Sequence, residues 1–165
     1  MPTWTLAVIY WLHLLATITW IGSLVSIYVL VLPNTRRVLE AVDELALLDG
    51  IQKRLEPIAW FSVSLLVVTG LFQMSVNPHY NGFLSTSGQW SLAILSKHIL
   101  VAGLVVVSAI YTWEVLPTMR RALMRKDKVK PEEIEALQRR ERSLLRVSLV
   151  LAAFILLATA IARAS

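Results

Sequence analysis

The chain has 165 residues, 56% of them hydrophobic, with six tryptophans, no cysteine and a formal charge of +5. The missing cysteines exclude disulfides, iron–sulfur clusters and thiolate metal ligands. Four stretches reach the ~20 apolar residues that a helix needs to cross a bilayer, so the chain reads as an integral membrane protein.

The first stretch, Leu6–Leu32, is long enough to tilt or protrude. Its flank carries no Lys or Arg and no small-residue cleavage site follows it, so a retained helix is expected rather than a cleaved signal. Beyond it, Val38, Val42, Leu45 and Leu48 keep helical spacing, which predicts a helix over 35–48 stopped by Gly50. The second span is Ile58–Val76. The turn-rich run Asn77-Pro78-His79-Tyr80-Asn81-Gly82 then leads to the third span, Trp90–Leu116. After a basic cluster, Pro131 starts a new helix with Glu132 and Glu133 in its first turn, where the helix dipole favours negative charge. That helix runs straight into the fourth span, Leu144–Ala162, for about 48 Å at 1.5 Å per residue. Only helices satisfy their own backbone in lipid at this hydrophobicity. The expected fold is therefore an all-α, four-helix transmembrane bundle, a single domain over residues 1–165.

Charge sets the expected orientation. Of the 16 Lys and Arg residues, Arg36, Arg37, Lys53 and Arg54 follow the first span, and ten more lie from Arg120 to Arg146. The run 77–89 and the N-terminal flank have none. The positive-inside rule then puts both charged connections in the cytoplasm and both termini outside, in a multi-pass protein of the plasma (bacterial inner) membrane. The basic balance is thus mostly topology. A basic patch pressed against the bilayer suits anionic lipid headgroups, and it argues against nucleic acid as a partner.

Ionisable side chains within the spans are the candidates for function, because their burial in lipid is costly. His13 lies nine residues inward from Trp4, about 13 Å of rise, and His98 lies eight inward from Trp90, about 12 Å. The two imidazoles are level, on helices running the same way, so a planar cofactor held between the first and third helices has two axial ligands available. Imidazole suits haem iron and other transition metals. Lys97, beside His98, has no acidic partner in the outer half of the sequence, which points to an anionic ligand such as a haem propionate. Glu114 is expected to meet a cytoplasmic Arg. Met74 and His79 bracket the outer end of the second helix, and cuprous ion favours that pair of ligands. No metalloprotease His pair, nucleophile elbow or phosphate loop is present.

The run His13-Leu14-Leu15-Ala16-Thr17-Ile18-Thr19-Trp20-Ile21-Gly22-Ser23, followed by Pro33, resembles the first helix of the copper-resistance CopD membrane domain, with Ser23 in place of that family's second glycine. Val67-Val68-Thr69-Gly70 resembles the end of the family's second helix, and Gly88 through Lys97 the opening of its third. The same landmarks resemble, more distantly, the HemJ-type protoporphyrinogen oxidases, four-helix proteins that bind haem b. Lys53-Arg54-Leu55 stands where their basic segment does, while Val31-Leu32-Pro33-Asn34 replaces their Leu-Pro-Arg-Leu run. These resemblances imply a haem b or copper protein, with His13, Trp20 and Lys97 around the cofactor; His98 belongs to neither pattern and rests on the depth argument alone.

Three readings follow. The first is a haem b electron-transfer protein with His13 and His98 as axial ligands, working with a quinol or a redox partner protein. The second is copper handling across the membrane, with Met74 and His79 as the alternative copper ligands. The third is an accessory membrane subunit whose histidines only hydrogen-bond, within a homo-oligomer or a larger assembly.

Overall fold

The computed structural model describes residues 3–78, 82, 88–125 and 130–164. It contains four long helices: α1 (Thr3–Val38), α2 (Ala41–Ser75), α3 (Gln89–Met124) and α4 (Pro131–Ala164), each long and apolar enough to cross a membrane. At 1.5 Å per residue each is about 50 Å long, some 20 Å more than a hydrocarbon core of ~30 Å requires. The excess projects at one end, the basic end, where the α1–α2 and α3–α4 connections lie. The opposite end carries both termini. Side chains along the spans are sorted for lipid, since Trp4, Ile18, Phe61, Val68, Ile99 and Trp113 are exposed while Ala16, Ser62, Ala93, Ser148 and Ala152 are buried. Small residues inside and large apolar ones outside are the arrangement that lets membrane helices approach closely.

Helix α1 packs mainly along α2, and α3 along α4, with lighter α1–α4 and α2–α3 seams. This leaves α1 and α3 facing each other across the bundle. Two apolar clusters hold the four helices together. One lies mid-span, where Trp20, Val63, Leu104, Ala152 and Ile155 meet. The other fills the basic end with Ile27, Leu32, Leu45, Leu48, Val115 and Met119, together with Ile134 and Leu145 from α4. Trp60 of α2 stacks on Trp113 of α3 with ring centroids 5.8 Å apart, joining α2 and α3.

The predicted helix over 35–48 is a correction. Helix α1 continues only to Val38, the chain extends at Leu39 and Glu40 (ψ 147° and 157°), and α2 begins at Ala41. The Glu40 carbonyl accepts the Glu44 N–H, and Asp43 and Glu44 sit in the first turn, where negative charge is favoured. Gly50 does not stop this helix. Leu45, Leu48, Asp49 and Gln52 are buried on both sides of it, and their packing outweighs the roughly 1 kcal/mol that glycine costs mid-helix. Helix α4 runs from Pro131 as expected.

Both α1 and α3 widen into a short π-helical stretch, Ser26–Val31 and Tyr111–Val115, where Leu32 N–H bonds Ile27 O and Leu116 N–H bonds Tyr111 O. Each stretch lies just before a proline, Pro33 or Pro117. Proline lacks the N–H and its ring crowds the carbonyl four residues back, so a wider turn relieves the clash. The prolines belong to a repeated segment. Val31-Leu32-Pro33-Asn34-Thr35-Arg36-Arg37-Val38-Leu39 and Val115-Leu116-Pro117-Thr118-Met119-Arg120-Arg121-Ala122-Leu123 share Val-Leu-Pro-x-x-Arg-Arg-x-Leu at an offset of 84 residues. The same offset places His13 in register with Lys97.

Candidate functional site

His13 lies on the α1 face that buries Ala16 and Trp20 further down. Its Nδ1 is 2.8 Å from the Thr69 hydroxyl oxygen on α2. That hydroxyl donates its single proton to the Leu65 carbonyl at 2.6 Å, so it accepts from the ring, and the imidazole proton sits on Nδ1. Nε2 then carries the lone pair. The ring rests on Gly70, where a Cβ would come within 3.4 Å of His13 Cε1. The Thr69-Gly70 pair thus orients the histidine twice, once through a hydrogen bond and once by leaving it room. An imidazole tied at one nitrogen with the other nitrogen basic is the usual posture of a metal ligand.

Positive charge surrounds this ring. Lys97 on α3 and Arg163 on α4 both act on His13 electrostatically, and Lys97 also feels Arg163. The Arg163 guanidinium lies 5.2 Å above the Tyr10 ring in a cation–π contact. All eleven Asp and Glu residues lie between positions 40 and 56 or 114 and 141, and those among the described residues lie toward the basic end of the fold. The end that bears the termini is therefore cationic, with one cation from α3 and one from α4 acting on His13.

From α3 it is Lys97 that comes within electrostatic reach of His13, in keeping with the repeat register, while His98 is turned about 100° further round the helix. His98 Nδ1 bonds the Ile94 carbonyl at 2.7 Å. A carbonyl only accepts, so this ring too carries its proton on Nδ1. Trp20 is buried in the mid-span cluster, two turns from His13. Met74 is buried one turn beyond Gly70 on the same face of α2. Gln73, one turn beyond Thr69, keeps a buried Nε2 without a hydrogen bond. His79 lies outside the described residues. Among the described residues no three of His, Cys, Asp and Glu come together as a metal site.

Below the mid-span cluster lies a cavity of about 70 Å³, walled by Trp20, Gln52, Trp60, Tyr111 and Ser148 among others, and by neither histidine. It opens toward a polar network at the basic end that sequence reasoning missed. Asp49 accepts from Arg120 at 2.7 Å and Lys53 at 2.8 Å, Glu44 pairs with Arg36 at 3.3 Å and accepts from Gln138 at 2.8 Å, and Tyr111 donates to Glu141 at 2.9 Å. Glu114 pairs with Arg140, as expected of it. The available signal was the helical spacing of Gln138, Glu141, Leu145 and Ser148, which puts polar residues on the inward stripe of α4.

Residues 50–162 match the family of copper resistance protein D, CopD. The chain belongs to the CopD family. No curated protein and no solved structure matches it. The CopD match takes in α2 from Gly50, all of α3 and nearly all of α4, with Thr69, Gly70, Met74, Lys97 and His98 inside it and His13 on the one helix outside. It bears out the CopD resemblance read from the second and third spans, and it makes the chain a multi-pass membrane protein of a copper-resistance family. The HemJ-type resemblance finds no support in it.

Proposed function

We propose that this CopD-family chain handles copper within the membrane, binding cuprous ion in the half of the bundle that carries the termini. The carrying observation is the His13 ring, fixed by Thr69 and Gly70 so that Nε2 offers its lone pair. Met74 follows one turn along the α2 face that supports the ring. Imidazole and thioether are ligands that cuprous ion prefers, and His79 follows Met74 in sequence as a third candidate. Lys97 and Arg163 weaken the hold on a cation, which suits copper as a cargo passed onward rather than stored, since conduction requires a site weak enough to leave. The positive-inside rule places this half on the extracytoplasmic side of the plasma membrane, and the basic end in the cytoplasm.

A second reading, a haem b redox protein, is favoured by one observation: Lys97 and Arg163 act on each other with no Asp or Glu side chain among the described residues of their half of the bundle. Haem propionates would meet them, with His13 at the iron and the Nδ1-protonated His98 as the other axial candidate. Such a protein would exchange electrons with a quinol or a partner protein.

Elemental analysis and an absorption spectrum of the purified chain decide between these. Cuprous ion added under reducing conditions is expected to remain bound at about one per chain through desalting, and to be lost from His13→Ala and reduced in Met74→Ala. A Soret band that shifts on dithionite reduction, with no copper retained, would replace the copper reading by the haem one.

A further inference from the structure

We infer that Glu141 is a proton-binding site, an acid whose exchangeable proton is held inside the basic end of the bundle and linked to the cavity through Tyr111. The side chain is fully buried, at 0% exposure. One carboxyl oxygen, Oε1, accepts the Tyr111 hydroxyl; the other, Oε2, is buried and has no hydrogen-bond partner. An ionised carboxylate seeks partners at both oxygens and is expensive to bury without them, so a proton on Oε2 is the lowest-cost way to remove the charge.

The surroundings withhold a counter-cation. Glu44 has Arg36, and Asp49 has both Arg120 and Lys53, but among the described residues no cation forms an ion pair with Glu141. Arg36 from α1 and Glu44 from α2 act on it with opposite sign, and they are already paired with each other. Asp49 and Gln52 from α2 face the Tyr111 phenol. On α4 itself, Gln138 is committed to Glu44, and Arg142 keeps a buried Nε that bonds nothing.

Tyr111 connects the acid to the cavity wall. Tyr111 opens the π-helical stretch of α3, a local widening often found at functional sites. It lines the cavity together with Gln52 and Ser148, and its hydroxyl donates to Glu141. The cavity, at about 70 Å³, is large enough to admit water. Ser148 sits two turns along α4 from Glu141, so wall and acid share one helix face. The inference does not depend on copper: it concerns a different site at the opposite end of the bundle.

Dicyclohexylcarbodiimide tests it on the intact protein in membranes, because this apolar reagent adds to carboxyl groups that are protonated in apolar surroundings. Peptide mapping by mass spectrometry is expected to find the stable acylurea adduct on Glu141, fading as pH is raised and lost in Glu141→Gln. The ion-paired Asp49 and the exposed Glu132 and Glu133 are expected to stay unmodified. Wild-type mapping alone decides the matter if the Gln variant does not fold. Absence of an adduct on Glu141 at every pH at which circular dichroism reports the folded helices would overturn the inference, as would equal labelling of Asp49.

Discussion

At the scale of single residues, Thr69 has two tasks that can be separated. It returns its own proton to Leu65, as threonine commonly does in a helix, and it accepts the proton of His13. Thr69→Val keeps the shape and removes the acceptor. Interhelical hydrogen bonds in membranes average about 0.6 kcal/mol and reach about 1.7, so the fold is expected to lose about 1 kcal/mol in a denaturant titration. The functional loss is expected to be larger. Without its acceptor the ring is no longer held to one tautomer, and loss of such an orienting partner typically lowers metal affinity 10–100-fold. Thr69→Ser restores the acceptor and is expected to recover most of the affinity. Equal copper binding by the Val variant and the wild type would show that Thr69 serves packing alone.

At the scale of elements, four helices were legible because a bilayer imposes one length and one polarity on each. Their ends were not. The α1–α2 break at Leu39 and Glu40 carries no glycine or proline, while Gly50, the expected stop, and Pro57 both lie within α2. Local propensity lost there to burial of Leu45, Leu48, Asp49 and Gln52. Rotation about the helix axes was not legible. One residue along α3 decides whether Lys97 or His98 turns toward α1, and only the repeat register of 84 residues hinted at it. The projecting ends are joined by polar contacts as well as by packing. Glu44 ties α1 through Arg36 and α4 through Gln138. Glu44→Ala leaves the buried Gln138 amide without its acceptor and removes the Arg36 ion pair, at an expected cost of about 2 kcal/mol. Glu44→Gln keeps an acceptor oxygen and is expected to cost less. Equal unfolding midpoints for the Ala variant and the wild type would mean the basic end is held by its apolar cluster alone.

At the scale of the whole molecule, the chain is two helical hairpins in tandem. The Val-Leu-Pro-x-x-Arg-Arg-x-Leu segment closes α1 and α3 alike, and each copy follows a π-helical stretch. Because α1 and α3 run the same way, the halves are related by an axis along the membrane normal, a parallel repeat in which the two halves keep the same ends on the same side. Both Arg-Arg pairs therefore lie at one end: Arg36 reaches Glu44, and Arg120 reaches Asp49 and Glu56. A duplicated, doubly basic end biases orientation strongly, since each hairpin carries the signal separately. The absence of native cysteine allows a clean test with single cysteines introduced at Pro78, beside the uncharged connection, and at Glu133, in the first turn of α4. Both positions are exposed, so reactivity reports sidedness rather than burial. In intact cells a membrane-impermeant maleimide is expected to label Pro78→Cys and to spare Glu133→Cys until the membrane is opened. The opposite pattern would place the His13 site on the cytoplasmic side and turn the proposed copper path around. Labelling of both in intact cells would mean dual insertion, an outcome that the two Arg-Arg segments at one end argue against.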